Sequence, residues 1–89
     1  MTAQARPHNV TATGTVFTGP CTFRGCTIFS TAGATVTIYD NTAASGTVLA
    51  KFVLGANGLQ NVDIVDGVRC DTGVHLVATA AIEGNVRIG

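Results

Sequence analysis

The chain has 89 residues, of which 46% are hydrophobic and 11% are charged, and its formal net charge at pH 7 is zero. A chain of this length makes one domain, and this balance predicts a globular rather than a disordered protein. Nucleic acid and anionic lipid are not expected as partners, because phosphate surfaces are normally met by clustered Lys and Arg. Here the basic residues are scattered: Arg6, Arg24, Lys51, Arg69 and Arg87.

The N-terminal residues, MTAQARPHNV, lack the apolar run of a signal peptide, and no stretch of the chain approaches the length of a membrane span. We therefore expect synthesis in a cytoplasm, reduced thiols there and no membrane partner. The polar mixture around Pro7 predicts an N-terminal arm over residues 1–10, which becomes ordered on a partner. The folded domain is predicted over residues 11–89.

From residue 9 onward, apolar and polar residues alternate with a period of two, which is typical of half-buried strands. Strands are predicted near 9–18, 22–30, 34–39, 47–54, 60–65, 74–80 and 85–88. Between them lie turn clusters rich in Gly, Pro, Asn and Asp, at 18–20, 32–33, 40–46, 55–58, 66–67 and 71–73. Seven to eight short strands without a helix predict an all-β fold, either a single antiparallel β-sandwich or a jelly-roll-like small barrel.

The hairpin TVTIYDNTAASGTVLAKF, residues 35–52, shows this alternation most clearly. It predicts that Ile38 and Val48 lie in the core and that Leu49, Lys51 and Val53 lie on the second face of their strand. Apolar residues on both faces indicate a strand in the middle of a sheet or under a partner.

Cys21, Cys26, Cys70 and His75 are side chains of the types that bind zinc. Residues five apart in a strand point to opposite faces and lie about 16 Å apart, so a bulge at Gly25 would be needed to bring the ligands together. We expect no metal or cofactor and interpret the cysteines as small buried hydrophobes. One disulfide, Cys70 with Cys21 or with Cys26, is a further possibility in an oxidising medium.

Catalysis would require an activated thiolate beside His75 and an aspartate, and most aspartates here fall in turn clusters, where they usually bond the backbone. The sequence therefore predicts no enzymatic activity. Glycan recognition usually needs an aromatic platform, and the chain has no Trp, one Tyr and four Phe. A glycan- or host-surface-binding module remains an alternative, and an exposed cluster of Tyr39 with phenylalanines would strengthen it.

Several motifs between Gly33 and Gly73 resemble small all-β structural proteins of tailed bacteriophages. They are Ile38-Tyr39-Asp40, Ala44-Ser45-Gly46-Thr47-Val48-Leu49, Gly67-Val68-Arg69 and Thr72-Gly73-Val74. The resemblance covers roughly residues 14–89. The chain departs from the pattern at Val74-His75, which replaces a Leu-aromatic step, and at Cys26 and Cys70, which replace apolar residues.

This resemblance implies a virion component made in the bacterial host cytoplasm, namely a decoration or cement protein on the outer capsid surface. The implied partners are the major capsid protein and further copies of the chain, as a trimer or dimer. A neck or tail component is the alternative within the virion. The residues expected to contact partners are Arg6, His8, Leu49, Lys51, Val53 and His75.

Overall fold

A computed structural model describes residues 6–89. These residues form eight strands: β1 (Arg6–Val10), β2 (Gly14–Thr18), β3 (Cys21–Ser30), β4 (Ala34–Asp40), β5 (Thr47–Leu54), β6 (Gly58–Cys70), β7 (Gly73–Ala78) and β8 (Glu83–Ile88). Within this range the chain has no helix that is long and apolar enough to cross a membrane.

The strands form two four-stranded sheets in which every pairing is antiparallel. The first sheet has the order β1-β8-β3-β6, and the second has the order β2-β7-β4-β5. All connections except the β4–β5 hairpin pass from one sheet to the other. This strand order is that of an eight-stranded jelly roll, so the predicted all-β sandwich is confirmed.

The core lies between the two sheets and is filled from both inner faces. Ile28 and Val86 of the first sheet are fully buried against Ile38 and Leu76 of the second sheet. Each such aliphatic side chain contributes about 1.5–3 kcal/mol through its removal from water. The predicted burial of Ile38 is therefore confirmed.

The N-terminal segment differs from its prediction as an arm. Residues 6–10 form β1, an edge strand paired with β8 from Arg6 opposite Ile88 to Val10 opposite Gly84. The pattern missed β1 because it is short and contains Pro7, which an edge strand tolerates since one side of its backbone is unpaired. The remainder of the predicted arm, residues 1–5, lies outside the described residues.

The single strand predicted over 9–18 is divided into β1 and β2. Between them the chain crosses from the first sheet to the second, and hydrogen bonds of the Thr13 side chain fix this connection. Its hydroxyl donates to the Ala78 carbonyl at 3.0 Å and accepts from the Ala78 amide at 2.9 Å. A Thr side chain thus takes the place of a backbone pairing, which alternation alone does not reveal.

The turn predicted at 66–67 lies inside β6. Phe23 pairs with Val68 and Gly25 pairs with Asp63, so the four residues 64–67 lie opposite one residue of β3. Gly67 has φ 75°, which suits glycine, and a Cβ there would clash with the Thr22 methyl carbon. The Asp-Gly pair therefore makes a bulge, and β6 continues to Cys70. The other five predicted turn clusters mark connections between strands.

Candidate interaction surface

The large hydrophobic residues that the described structure leaves exposed all lie on β5 and β6. They are Val48, Val53, Leu59, Val65 and Val68. β5 is the edge strand of the second sheet and β6 is the edge strand of the first, and the two edges lie on the same side of the sandwich. We call this side of the molecule the β5–β6 edge. Val53 is 75% exposed and Val65 is 92% exposed, so neither side chain is part of the core.

The outer face of the second sheet continues this surface with few charges. Strand register places two rows across it, Thr15-His75-Tyr39-Val48 and Val77-Thr37-Lys51. Lys51 is the one charged residue in these two rows. Such a face costs little to desolvate, because burying β-branched and aromatic groups requires no charge to lose its hydration.

A bulge in β5 changes which of its residues face outward. Ile38 pairs with Ala50 and Tyr39 pairs with Val48, so Leu49 has no partner on β4. Leu49 consequently turns inward and packs against the core, whereas Val48 is 48% exposed. The placement of Leu49 on the second face of β5 and of Val48 in the core was therefore wrong, because the bulge reverses the alternation at these two residues. A partner contact by Leu49 stays a prediction. Lys51 and Val53 are exposed as predicted.

The remaining predicted partner-binding residues are not brought together. His8 lies on β1, at the edge opposite β5 and β6, where its ring meets Phe17 edge-on at 6.2 Å. His75 lies on the outer face of the second sheet, with Nδ1 at 3.0 Å from the Thr15 hydroxyl. The backbone of Arg6 pairs with Ile88. Only His75 shares a face with Lys51 and Val53.

The outer face of the first sheet is polar and internally bonded, in contrast to the second. Arg87 donates from Nη2 to Asp63 Oδ1 and to the Val62 carbonyl, both at 2.9 Å. Its Nη1 donates to the Thr27 hydroxyl and to Asn85 Oδ1, both at 3.0 Å. One guanidinium therefore ties β8 to β3 and β6.

An open groove of about 510 Å³ adjoins this network on the same face. Phe29 and Leu59 are register neighbours in its wall, and Asn9, Thr27 and Asn85 supply polar groups. The groove joins one aromatic ring to amide and hydroxyl groups, which is a combination that can bind a polar ligand with apolar patches.

The aromatic cluster that would strengthen the glycan alternative is absent from the described residues. Phe23 is fully buried, and Phe17 and Phe52 pack against the core. Tyr39 lies on the outer face of the second sheet, whereas Phe29 lies on the outer face of the first. The alternation of their strands thus directs some rings to the core and the others to two different outer faces.

The four residues considered for zinc also lie apart. Cys21 and Cys70 are opposite each other on β3 and β6, but Cys26 is opposite Val62 and Val86 further along β3. His75 is on the outer face of the other sheet. In residues 6–89 no three His, Cys, Asp or Glu side chains are grouped as metal ligands. The bulge near Gly25 that a zinc site would require is present and turns both Cys21 and Cys26 inward, yet it leaves them far apart along β3.

Burial accounts for the acid–base properties of the cysteines. It raises the pKa of Cys26 to about 11 and that of Cys70 to about 12, and it raises the pKa of Cys21 as well. A thiol must ionise to act as a nucleophile, so these shifts oppose the thiolate that the considered catalytic arrangement would require. His75 is bonded to Thr15 and lies on a different face from the inward-pointing thiols.

Asp40 holds the connection between β6 and β7. Its Oδ1 accepts from the Thr72 amide at 3.1 Å and the Gly73 amide at 3.4 Å, and its Oδ2 accepts from the Asp71 amide at 3.3 Å. The Thr72 bond lowers the pKa of Asp40, and the Asp71 and Gly73 amides add to this effect. Asp40 therefore has a structural role, as expected for an aspartate in a turn cluster.

The fold and this surface define the chain as a small jelly-roll sandwich with one apolar edge and one sparsely charged face. Comparison with protein-family models, curated proteins and solved structures finds no match to the chain.

Proposed function

We propose that the chain is a decoration or cement protein that binds the outer head surface of a tailed bacteriophage and stabilises contacts between capsomers. The observation that carries this proposal is the location of the exposed apolar side chains on β5 and β6. Exposed apolar side chains that are concentrated on one side of a molecule favour a protein–protein interface there.

The shape of the sandwich supports this role. β5 pairs only with β4 and β6 pairs only with β3, so both strands present an unpaired backbone edge. Exposed edges and apolar side chains promote association unless a neighbour covers them. Zero net charge gives little electrostatic resistance to association. A protein held in a lattice benefits from these properties, because many modest contacts act together there.

The fold agrees with this role without deciding it. Jelly rolls form viral capsid domains, and they also form lectin domains and cupins. A fold hosts many functions, so the proposal depends on the surface and on the sequence motifs. The partners proposed are the major capsid protein and further copies of the chain, as a trimer or dimer. A neck or tail component would use the same surface at fewer copies per particle.

Binding to particles that lack the chain tests this proposal. Purified wild-type protein should sediment with such heads and raise their heat resistance. Val53→Asp should reduce binding, because it places a charge in the proposed contact while the exposed site leaves folding intact. Ala12→Asp, at an exposed position near the opposite edge, is the matched control and should bind normally. Equal binding of both variants would contradict the use of the β5–β6 edge.

A glycan-binding module is the second candidate, and the groove beside Phe29 favours it. The polar side chains of Asn9 and Asn85 can bond sugar hydroxyls while the ring of Phe29 stacks on the sugar. Titration of the protein with host-surface oligosaccharides tests this candidate. Saturable binding that is lost in Phe29→Ala and kept in Val53→Asp would favour it over head decoration.

A further inference from the structure

Two of the three cysteines face each other across a pair of strands. Cys21 is the first residue of β3, Cys70 is the last residue of β6, and the two are register partners. Cys70 is fully buried and Cys21 is half-buried. Both are free thiols, and they end the stretch over which these two strands pair.

The register implies that the Cα atoms of this pair have a separation within the range that disulfides span. Thr22 exchanges two backbone hydrogen bonds with Gly89, at 2.9 and 3.1 Å, on the β8 side of β3. Successive residues of a strand direct their backbone groups to opposite sides, so Cys21 directs its groups to β6. Hydrogen-bonded antiparallel partners have Cα atoms about 5.5 Å apart. Disulfides span Cα distances of about 4.4–6.8 Å.

The side chains are also correctly directed. Cys21 packs against the core from its edge, and Cys70 lies within the core. The two residues are register partners whose side chains both lie on the core side of the sheet. Cys26 lies five residues from Cys21, about 16 Å along an extended strand, and its register partners are valines. The structure therefore favours one of the two pairings that the sequence left open.

We propose that Cys21 and Cys70 form an intrachain disulfide when the folded protein meets a disulfide oxidant such as oxidised glutathione, while Cys26 remains a thiol. This inference does not depend on the proposed function.

The reaction is two thiol–disulfide exchanges. The more accessible Cys21, as its thiolate, attacks one sulfur of oxidised glutathione, and one glutathione thiolate leaves. The Cys70 thiolate then attacks the Cys21 sulfur of the mixed disulfide, and the second glutathione leaves. Two protein thiols are oxidised, one glutathione disulfide is reduced, and the two protons end on the two glutathione thiols.

The disulfide would close a loop of about 50 residues that comprises the whole of β3, β4, β5 and β6. A cross-link of this span restricts the unfolded chain strongly, so the midpoint of thermal unfolding should rise by about 10 °C or more. Because both thiols have raised pKa values, the exchange should be slow at neutral pH and faster at mildly alkaline pH.

Peptide mapping of the full chain tests the proposal. Folded, reduced protein is incubated with oxidised glutathione at mildly alkaline pH, quenched by alkylation under denaturing conditions and digested with trypsin. Cleavage after Arg24, Lys51 and Arg69 places the three cysteines in three different peptides. The expected result is a mass lower by two hydrogens, one alkylated thiol on Cys26 and a cross-linked pair of peptides containing Cys21 and Cys70.

Single variants separate this result from its alternatives. Cys26→Ala should form the same cross-link and show the same rise in the unfolding midpoint, whereas Cys21→Ser should form none. A stable glutathione adduct on Cys21 without cross-linking would overturn the proposal. So would a link that includes Cys26, or thiols that stay reduced in the folded protein under conditions that oxidise the urea-unfolded chain.

Discussion

The bulge in β5 predicts that adjacent substitutions on one strand have opposite consequences. We expect Leu49→Asp to destabilise the domain strongly and Val48→Asp to be nearly neutral. The bulge turns Leu49 against the core and leaves Val48 half-exposed. With uninterrupted alternation, Val48→Asp would instead be the more destabilising of the two substitutions.

The magnitude follows from the burial of each side chain. Loss of a half-buried leucine costs about 1 kcal/mol of apolar transfer free energy. Partly desolvating a carboxylate adds about 1–3 kcal/mol. Leu49→Asp should therefore lower the free energy of unfolding by about 2–4 kcal/mol, out of roughly 4–13 kcal/mol expected for a domain of this size. Val48→Asp should change it by less than about 1 kcal/mol.

Urea unfolding followed by circular dichroism measures both values, provided that the slope of the free energy of unfolding against urea concentration is the same in each variant. Ile38→Asp is the buried control and should not fold, since Ile38 is fully buried. Val53→Asp is the exposed control on the same strand. A loss for Val48→Asp equal to or greater than that for Leu49→Asp would refute the bulge and the orientation of the strand.

Three further predictions concern the bulge in β6, the β6–β7 connection and the outer network. Gly67→Val should lower the free energy of unfolding by about 2 kcal/mol or more, because φ 75° and the Thr22 methyl carbon oppose a Cβ; an unchanged thermal midpoint would contradict this. The Thr72 amide holds the pKa of Asp40 below its usual value, so the stability contributed by Asp40 is present above about pH 4 and is lost as the pH falls through the lowered pKa. Asp40→Asn should therefore weaken the dependence of stability on pH in that acidic range, and a dependence identical to wild type would argue against the contribution. Arg87→Lys should cost about 1 kcal/mol in urea unfolding, since one ammonium group does not replace the forked contacts of the guanidinium; retention of the wild-type midpoint would show that the network adds no stability.

Alternation and turn composition were sufficient to predict an all-β sandwich and the position of most strands. Ile38 is buried as its alternation indicated, and five of the six turn clusters connect strands. The failures have local physical causes. In the connection from β1 to β2, the Thr13 side chain bonds the Ala78 backbone in place of a backbone pairing. The bulge at 64–67 contains an Asp-Gly pair, which otherwise indicates a turn.

The surface was less predictable than the fold because it depends on pairings that are distant in sequence. Lys51 and Val53 were identified from the second face of their strand, and both are exposed. Leu49 was misassigned because one extra residue in β5 exchanges the faces of Val48 and Leu49 relative to the rest of the strand. The common location of the exposed apolar residues depends on β5 and β6 being the edges of two different sheets, which no local pattern reveals.

The proposed function is tested most directly by the copy number of this chain in purified phage particles, measured by quantitative mass spectrometry against the major capsid protein. Decoration of the head predicts an amount in fixed, near-stoichiometric proportion to that protein. A few copies per particle would instead assign the chain to the neck or tail. Its absence from particles would contradict a structural role in the virion.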